Sequence, residues 1–185
     1  MIEEILADGE ERMKKTVEAV QRELTAIRTG HAHVGLVDHV RVEYFGSLLP
    51  VNQLATVAAP EPRLLTIQPW DRSALSAIEK ALLKSDLGLT PSNDGQIIRL
   101  AIPPLTEQRR KDLSRVVHKR VEDARVAARN IRRDGVEALR RMVHDKEISE
   151  DDQRKALDQL QKLTDRYIAS IDQRGKEKEA ELMEV

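Results

Sequence analysis

Three stretches of the chain carry apolar residues at helical spacing, and one long stretch between the first two does not. Met13, Val17, Val20, Leu24 and Ile27 follow steps of 4, 3, 4 and 3, the seam of a helix that packs along one side. The pattern predicts a helix over residues 2–28, weakened at Gly9 by roughly 1 kcal/mol relative to alanine. Its end is expected near Thr29-Gly30, with Gly30 in the left-handed position after the cap. The longest helical stretch is Leu105–Asp145. It follows Pro103-Pro104, takes Thr106 as its expected N-cap, and at about 1.5 Å per residue makes a rod of about 60 Å. Leu113, Val117, Val121, Ala124, Ala128, Ile131, Gly135, Leu139 and Met142 fall within one arc of its wheel. Ser149-Glu150-Asp151-Asp152 resembles a capping box, with acids where the helix dipole favours them. The third helix is expected to run from there to about Met183, with Leu157, Leu160, Thr164, Tyr167 and Ile171 stepping 3, 4, 3 and 4.

Between His31 and Pro104 the period shortens. Val40, Val42 and Tyr44 alternate with Arg41 and Glu43, the mark of a half-buried strand. Gly46 turns the chain toward a short strand over Leu48–Val51. Thr56–Ala59 and Leu64–Gln68 are further strands, separated by a turn at Pro60-Glu61-Pro62. Asp71 N-caps a short helix over Arg72–Lys84, and Gly88 stops it. Asn93-Asp94-Gly95 makes a hairpin turn before a strand over Ile97–Ile102. Trp70, between Pro69 and the Asp71 cap, is read as core of this unit.

None of the long helices is apolar all round, so each needs a partner. The expected fold is α+β: an antiparallel three-helix bundle formed by residues 1–30 and 105–185, with a small β/α/β domain, 31–104, inserted by two connections. Thr29, Gly30 and His31 form one side of the resulting hinge, and Pro103, Pro104 and Leu105 the other. The short connection at Lys146–Ile148 favours a hairpin within one chain. Pairing of the seams between two chains, as a coiled-coil dimer, stays as the alternative.

Charge changes this picture more than composition does. The formal net charge is −1, yet residues 109–141 hold twelve Lys/Arg against five Asp/Glu. Lys111, Arg115, His118, Arg125, Arg129, Arg132, Arg133 and Arg140 form a stripe beside the apolar arc. Relative to Ala124, Arg132 stands at about 80°, Arg125 at about 100°, Arg129 at about 140° and Arg133 at about 180°. Arg132 is therefore at the edge of the packed arc, where its stem lies on the bundle and its guanidinium suits phosphate. From charge alone the stripe reads either as a polyanion-binding face or as a solvated face laced with salt bridges, since Glu122 and Asp123 are near.

Aromatic residues make up 2% of the chain, which leaves no stacking platform for single-strand readout. A rigid cationic rod suits the phosphate geometry of folded RNA. There is no cysteine, hence no disulfide framework or thiolate nucleophile. No phosphate loop or nucleophile elbow is present. His31 and His33 would share a face on a strand, and with His39 they are the one lead toward a metal. No carboxylate pattern completes that motif, and no cofactor is expected. No apolar run is long enough to span a membrane, and Met1-Ile2-Glu3-Glu4 lacks the pattern of a signal or transit peptide. A cytoplasmic protein that is not an enzyme is the expectation.

Ile27-Arg28-Thr29-Gly30, Val42-Glu43-Tyr44-Phe45-Gly46, Gln53-Leu54-Ala55, Ser85-Asp86-Leu87-Gly88-Leu89, Pro104-Leu105-Thr106-Glu107, Arg109-Arg110-Lys111 and Arg129-Asn130-Ile131-Arg132-Arg133 together resemble the bacterial ribosome recycling factors. So do Lys146–Asp152 and the tail Lys178-Glu179-Ala180-Glu181-Leu182, and the likeness covers essentially the whole chain. The resemblance implies an L-shaped monomer whose long arm is the bundle and whose short arm is the β/α/β unit. It implies binding to the bacterial ribosome after termination and splitting into subunits with elongation factor G and its GTP hydrolysis. The bundle would lie on large-subunit ribosomal RNA, while the second domain swings. By position, Arg129 and Arg132 are the leading RNA contacts, Arg133 and Asn130 stand beside them with Arg125 on the same face, and Arg28 matches the arginine before the first hinge. Two departures stand out. His31 replaces an arginine usual in the family; if that arginine touches RNA, the contact is expected to be weaker and pH-sensitive in this chain. Gly135 replaces a better helix former and is expected to loosen the rod locally.

A coiled-coil scaffold and a metal-dependent hydrolase are the competing readings. Oligomerisation and bound metal, respectively, would mark them.

Overall fold

The structure is a computed structural model and describes residues 1–184. Its backbone divides into two compact units. One comprises Met1–Arg28 with the chain from Glu107 on, and the other comprises Thr29–Thr106.

The first unit is three long helices: α1 (Ile2–Thr25), α3 (Glu107–His144) and α4 (Glu150–Met183), with α2 (Leu75–Lys84) belonging to the second unit. Cross-helix pairs fix their directions. Arg12 meets Asp134 and Glu23 meets Arg120, so α1 runs antiparallel to α3. Glu10 meets Arg166 and Gln21 meets Arg174, so α1 runs parallel to α4. Met13, Val17, Val20 and Leu24 of α1 are buried, as are all members of the predicted α3 arc except the half-buried Gly135. The seams therefore fill one another within a single chain. On α4 the buried set is Ala156, Leu160, Thr164, Ile171, Gly175, Lys178 and Leu182. Leu157 and Tyr167 lie at its margin.

The helix ends have local causes. Ser149 and Asp152 exchange side-chain and backbone hydrogen bonds at 3.1 and 3.4 Å, a complete capping box. At the C-terminus of α3, Glu147 N–H donates to Met142 O and Lys146 N–H to Val143 O, with Lys146 at φ 61°. This is the Schellman arrangement, with a lysine in the position where glycine is usual. The helix α1 ends earlier than its period suggested, at Thr25. Gly30 does have a positive φ, 75°, but it lies beyond the cap at Ala26 and serves the connection instead of the helix end.

The second unit holds two antiparallel sheets and one helix. The hairpin β1 (Arg41–Tyr44) and β2 (Ser47–Pro50) stands apart from a four-stranded sheet of order β3-β4-β6-β5, formed by β3 (Ala55–Glu61), β4 (Leu64–Pro69), β5 (Pro91–Asn93) and β6 (Ile98–Ala101). The helix α2 is Leu75–Lys84, entered through a short 3-10 turn that Asp71 caps. Leu65 and Ile67 of β4 and Ile98 and Leu100 of β6 project from one face, as the two-residue period requires. They pack with Val42, Ile78 and Leu82 in one core.

Three local expectations need correction. The strand β3 runs on through Glu61, so the turn falls at Pro62-Arg63 and not at Pro60-Glu61-Pro62. His31 and His33 lie on no strand, and the imidazole of His33 caps the next 3-10 turn by accepting from Gly35 N–H at 3.0 Å. Trp70 is not core. It is 67% exposed and its indole N–H donates to Thr56 Oγ1 at 2.8 Å.

Candidate nucleic-acid interface

The buried arc of α3 places Ile131 in the bundle and Arg132 at its edge. There the guanidinium donates to Gln161 Oε1 of α4 at 3.1 Å, and the Gln161 amide donates to Asp165 at 2.8 Å. The side chain is thus oriented by a neutral amide, and its charge is not matched by a carboxylate. Arg125 is different. Its Nε donates to Asp172 Oδ1 at 2.6 Å and its Nη1 to Glu122 Oε2 at 3.1 Å. The Asp172 bond, then the Glu122 bond, raise its pKa further above the ordinary arginine range. Arg129 shares Glu122 at 3.4 Å. Asn130 and Arg133 are exposed.

The rest of the stripe is also paired: Lys111 with Glu107, Arg115 with Asp112, His118 with Glu179 and Arg140 with Glu137. Among the described residues, Arg132 and Arg133 are the stripe members for which no carboxylate partner is found. Exposed pairs are worth little, about 0–1 kcal/mol each, so they do not lock the other side chains away. They do offset part of the positive charge that those side chains present, which Arg132 and Arg133 keep in full.

Arg28 is not brought to this cluster. Glu23 of α1 sits level with Arg120, so Arg28 lies beyond that level, about 18 Å or more along the rod from Arg132. The contribution of Gln161 was not readable from sequence, because nothing in the chain gives the register of α4 against α3.

Around the connections, Gly30 packs under Leu105: a Cβ on it would stand 3.0 Å from Leu105 Cγ and 3.3 Å from Leu105 N. With φ at 75°, only glycine fits without strain. Thr29 Oγ1 and His31 Nδ1 are 3.2 Å apart. Ala32 N–H donates to Pro62 O at 2.6 Å and Ile102 N–H to Arg63 O at 2.8 Å. The β3–β4 turn therefore holds both connecting segments. Pro103 and Pro104 are exposed and outside any regular element. Among the described residues no three His, Cys, Asp or Glu side chains gather as a metal site, and no helix is long and apolar enough to cross a membrane.

Comparison with known proteins gives this architecture a context. A family model described as "Ribosome recycling factor" matches residues 20–183. The ribosome-recycling factor of Shouchella clausii (strain KSM-K16) is 56% identical over 185 residues, covering 100% of both chains. A solution structure of the ribosome recycling factor aligns with a TM-score of 0.76 at 44% identity, over 100% of this chain and 98% of that one. Coordinates described as models of the T. thermophilus ribosome recycling factor and the E. coli elongation factor G bound to the E. coli post-termination complex align at 0.65 and 46% identity, over 100% of both chains. Fold and similarity together define a translation factor. The chain belongs to the ribosome recycling factor family.

Proposed function

We propose that this protein binds the post-termination ribosome as a monomer and, with elongation factor G and GTP hydrolysis by that partner, splits it into subunits. In this reading the bundle grips large-subunit ribosomal RNA through Arg132 and Arg133. Arg129 and Asn130 extend the contact, Arg125 supports it from the bundle side, and Arg28 makes a separate contact further along the rod. The observation that carries the reading is the pair of uncompensated arginines on a stripe whose other members have carboxylate partners. The filled seam of the bundle favours a monomer over a coiled-coil scaffold.

The inserted unit, 31–104 in outline, moves as a lobe about Thr29, Gly30 and His31 on one connection and Pro103, Pro104 and Leu105 on the other. The positive φ of Gly30 and the stiffness of two successive prolines support a restricted path. The lobe itself is stable enough to be pushed as a body, because it has its own buried core.

The test is subunit splitting with purified post-termination ribosomes, elongation factor G and GTP. The protein is expected to be required for splitting. Arg132→Ala is expected to weaken binding to large subunits while leaving the thermal midpoint within a few degrees of the parent. Unchanged affinity in that variant would move the contact off this face.

A further inference from the structure

The hairpin of β1 and β2 is a sheet of two strands, so each strand has one edge that the other does not use. The strands join through the two-residue turn Phe45-Gly46. Tyr44 and Ser47 are therefore a hydrogen-bonded pair, and by alternation so are Val42 and Leu49. The N–H and C=O groups of Arg41 and Glu43 point the other way, away from β2. No further strand pairs with β1, and among the described residues no backbone partner is found for these groups.

This free edge borders a groove of about 640 Å³, within the range of ligand sites. Of the residues of β1, Arg41 and Glu43 line the groove, whereas Val42 and Tyr44 do not. Opposite them is one flank of α2, where Ser76, Ala77, Lys80, Ala81 and Lys84 recur at helical spacing. The two alanines keep that flank low, and the exposed Leu48 adds an apolar wall from β2. Side chains tie strand to helix at both ends. Tyr44 donates its phenol to Asp71 Oδ2 at 2.8 Å just before α2, and His39 Nε2 meets Asp86 Oδ1 at 3.1 Å just after it. The edge between these ties is about 16 Å of extended chain, and it is held in place before any encounter.

The chemistry of the groove selects its occupant. Arg41, Lys80 and Lys84 line it, and among the described residues none has a carboxylate partner; the Arg41 guanidinium donates to Asp38 O at 2.9 Å. Against them stand Glu43 and Asp86, and Asp86 already faces His39. That balance favours an acidic partner. The backbone decides what carries the acid. A phosphate chain offers no donor to the free carbonyls of Arg41 and Glu43, whereas an extended peptide presents N–H and C=O in the alternation that they need. No tryptophan, tyrosine or phenylalanine lines the groove, so it has no platform on which a base could stack.

We propose that an extended, acidic segment of another protein adds to β1 as a third strand. Its backbone pairs with Arg41 and Glu43, its carboxylates meet Lys80 and Lys84, and its apolar side chains rest on Ala77, Ala81 and Leu48. The site lies on a different surface from the arginine stripe and does not rest on the recycling reading.

The test uses the full-length protein with nitrogen-labelled amides and a pool of capped peptides of about seven residues, in which Glu alternates with Val, Ile, Thr or Tyr. The pool is expected to shift the amide signals of Arg41 and Glu43 and to slow their hydrogen exchange. A pool with Lys in place of Glu should not bind. Lys80→Glu combined with Lys84→Glu, both on an exposed helix flank, should raise the half-saturating peptide concentration about tenfold or more. Glu43→Pro removes an edge donor that β2 does not use, so binding should be lost while the thermal midpoint stays within a few degrees of the parent. The proposal is overturned by no shift with the acidic pool, by equal binding of the lysine pool, or by shifts without protection of the two amides. Single-stranded oligouridylate that shifts these amides where the peptides do not would overturn it too, in favour of RNA. Should Glu43→Pro unfold the hairpin, the amide protection and the lysine pair still decide the matter.

Discussion

At Asp94 a single carboxylate closes the β5–β6 hairpin. Its Oδ1 accepts from the N–H groups of Gln96 and Ile97, and its Oδ2 accepts from Arg99 at 3.0 Å. The Ile97 bond, then the Gln96 bond and Arg99, lower its pKa from 3.8 to about 2. The sign of the stability effect follows. A carboxylate whose pKa is depressed by folding contributes stability above its unfolded value, and that contribution is lost as pH falls toward its folded value. Asp94→Ala should therefore lower the midpoint of the second unit at pH 7, with the difference shrinking between about pH 4 and pH 2; calorimetry across that range checks it. This turn was legible because Asn-Asp-Gly encodes its own geometry. Trp70 was not read correctly, although the period held the answer. Leu65, Ile67 and Pro69 are buried, so Trp70 continues the outward face of Gln68. The exposed indole instead bonds Thr56 of β3, on the outward face of the sheet.

At the scale of elements, the glycines of the bundle are sockets for side chains from neighbouring helices. Gly135 looked like a weak point in α3, but a Cβ there would stand 2.8 Å from Leu160 Cδ2 of α4. Leu160 is 1% exposed and also lies against Gly9 of α1, at 3.8 Å from its ideal Cβ. One leucine is thus seated between glycines of the other two helices. Gly175 does the same for Val121, whose Cγ2 would be 2.7 Å from an added Cβ. These distances separate two substitutions that sequence treats as equal. Gly9→Ala meets only ordinary contact and should stabilise the bundle by about 1 kcal/mol through helix propensity. Gly175→Ala meets a branched side chain with little rotamer freedom, and overpacking of about 1–3 kcal/mol should outweigh the same gain. Urea denaturation of the two variants should shift the midpoint in opposite directions. The helical wheel located Arg132 at the edge of the arc from sequence alone. It could not show that Arg125 faces Asp172 while Arg132 faces Gln161, because these pairings depend on how far α4 slides along α3, which the interlocking of Leu160 and Val121 helps to fix.

For the molecule as a whole, charge is distributed against its total. A chain of net charge −1 has no general attraction for RNA, so affinity must come from a local face, and it must carry the salt signature of that face. If the bundle neutralises phosphates, log K for large subunits should fall linearly with log salt at roughly 0.7–0.9 per phosphate. Arg132→Ala and Arg133→Ala should each flatten that slope by roughly one, because each removes a cation with no carboxylate beside it. Arg125→Ala should behave otherwise. Its charge is already opposed by Asp172 and Glu122, so its loss frees two carboxylates, weakens the α3–α4 contact and lowers the thermal midpoint as well as the affinity. Sedimentation binding to purified large subunits between 50 and 200 mM salt, a range over which several phosphate contacts cost orders of magnitude in affinity, gives the slopes of all three variants in one series. Equal flattening by Arg125→Ala and Arg132→Ala, with no loss of stability in either, would show that carboxylate pairing does not decide which arginines meet RNA.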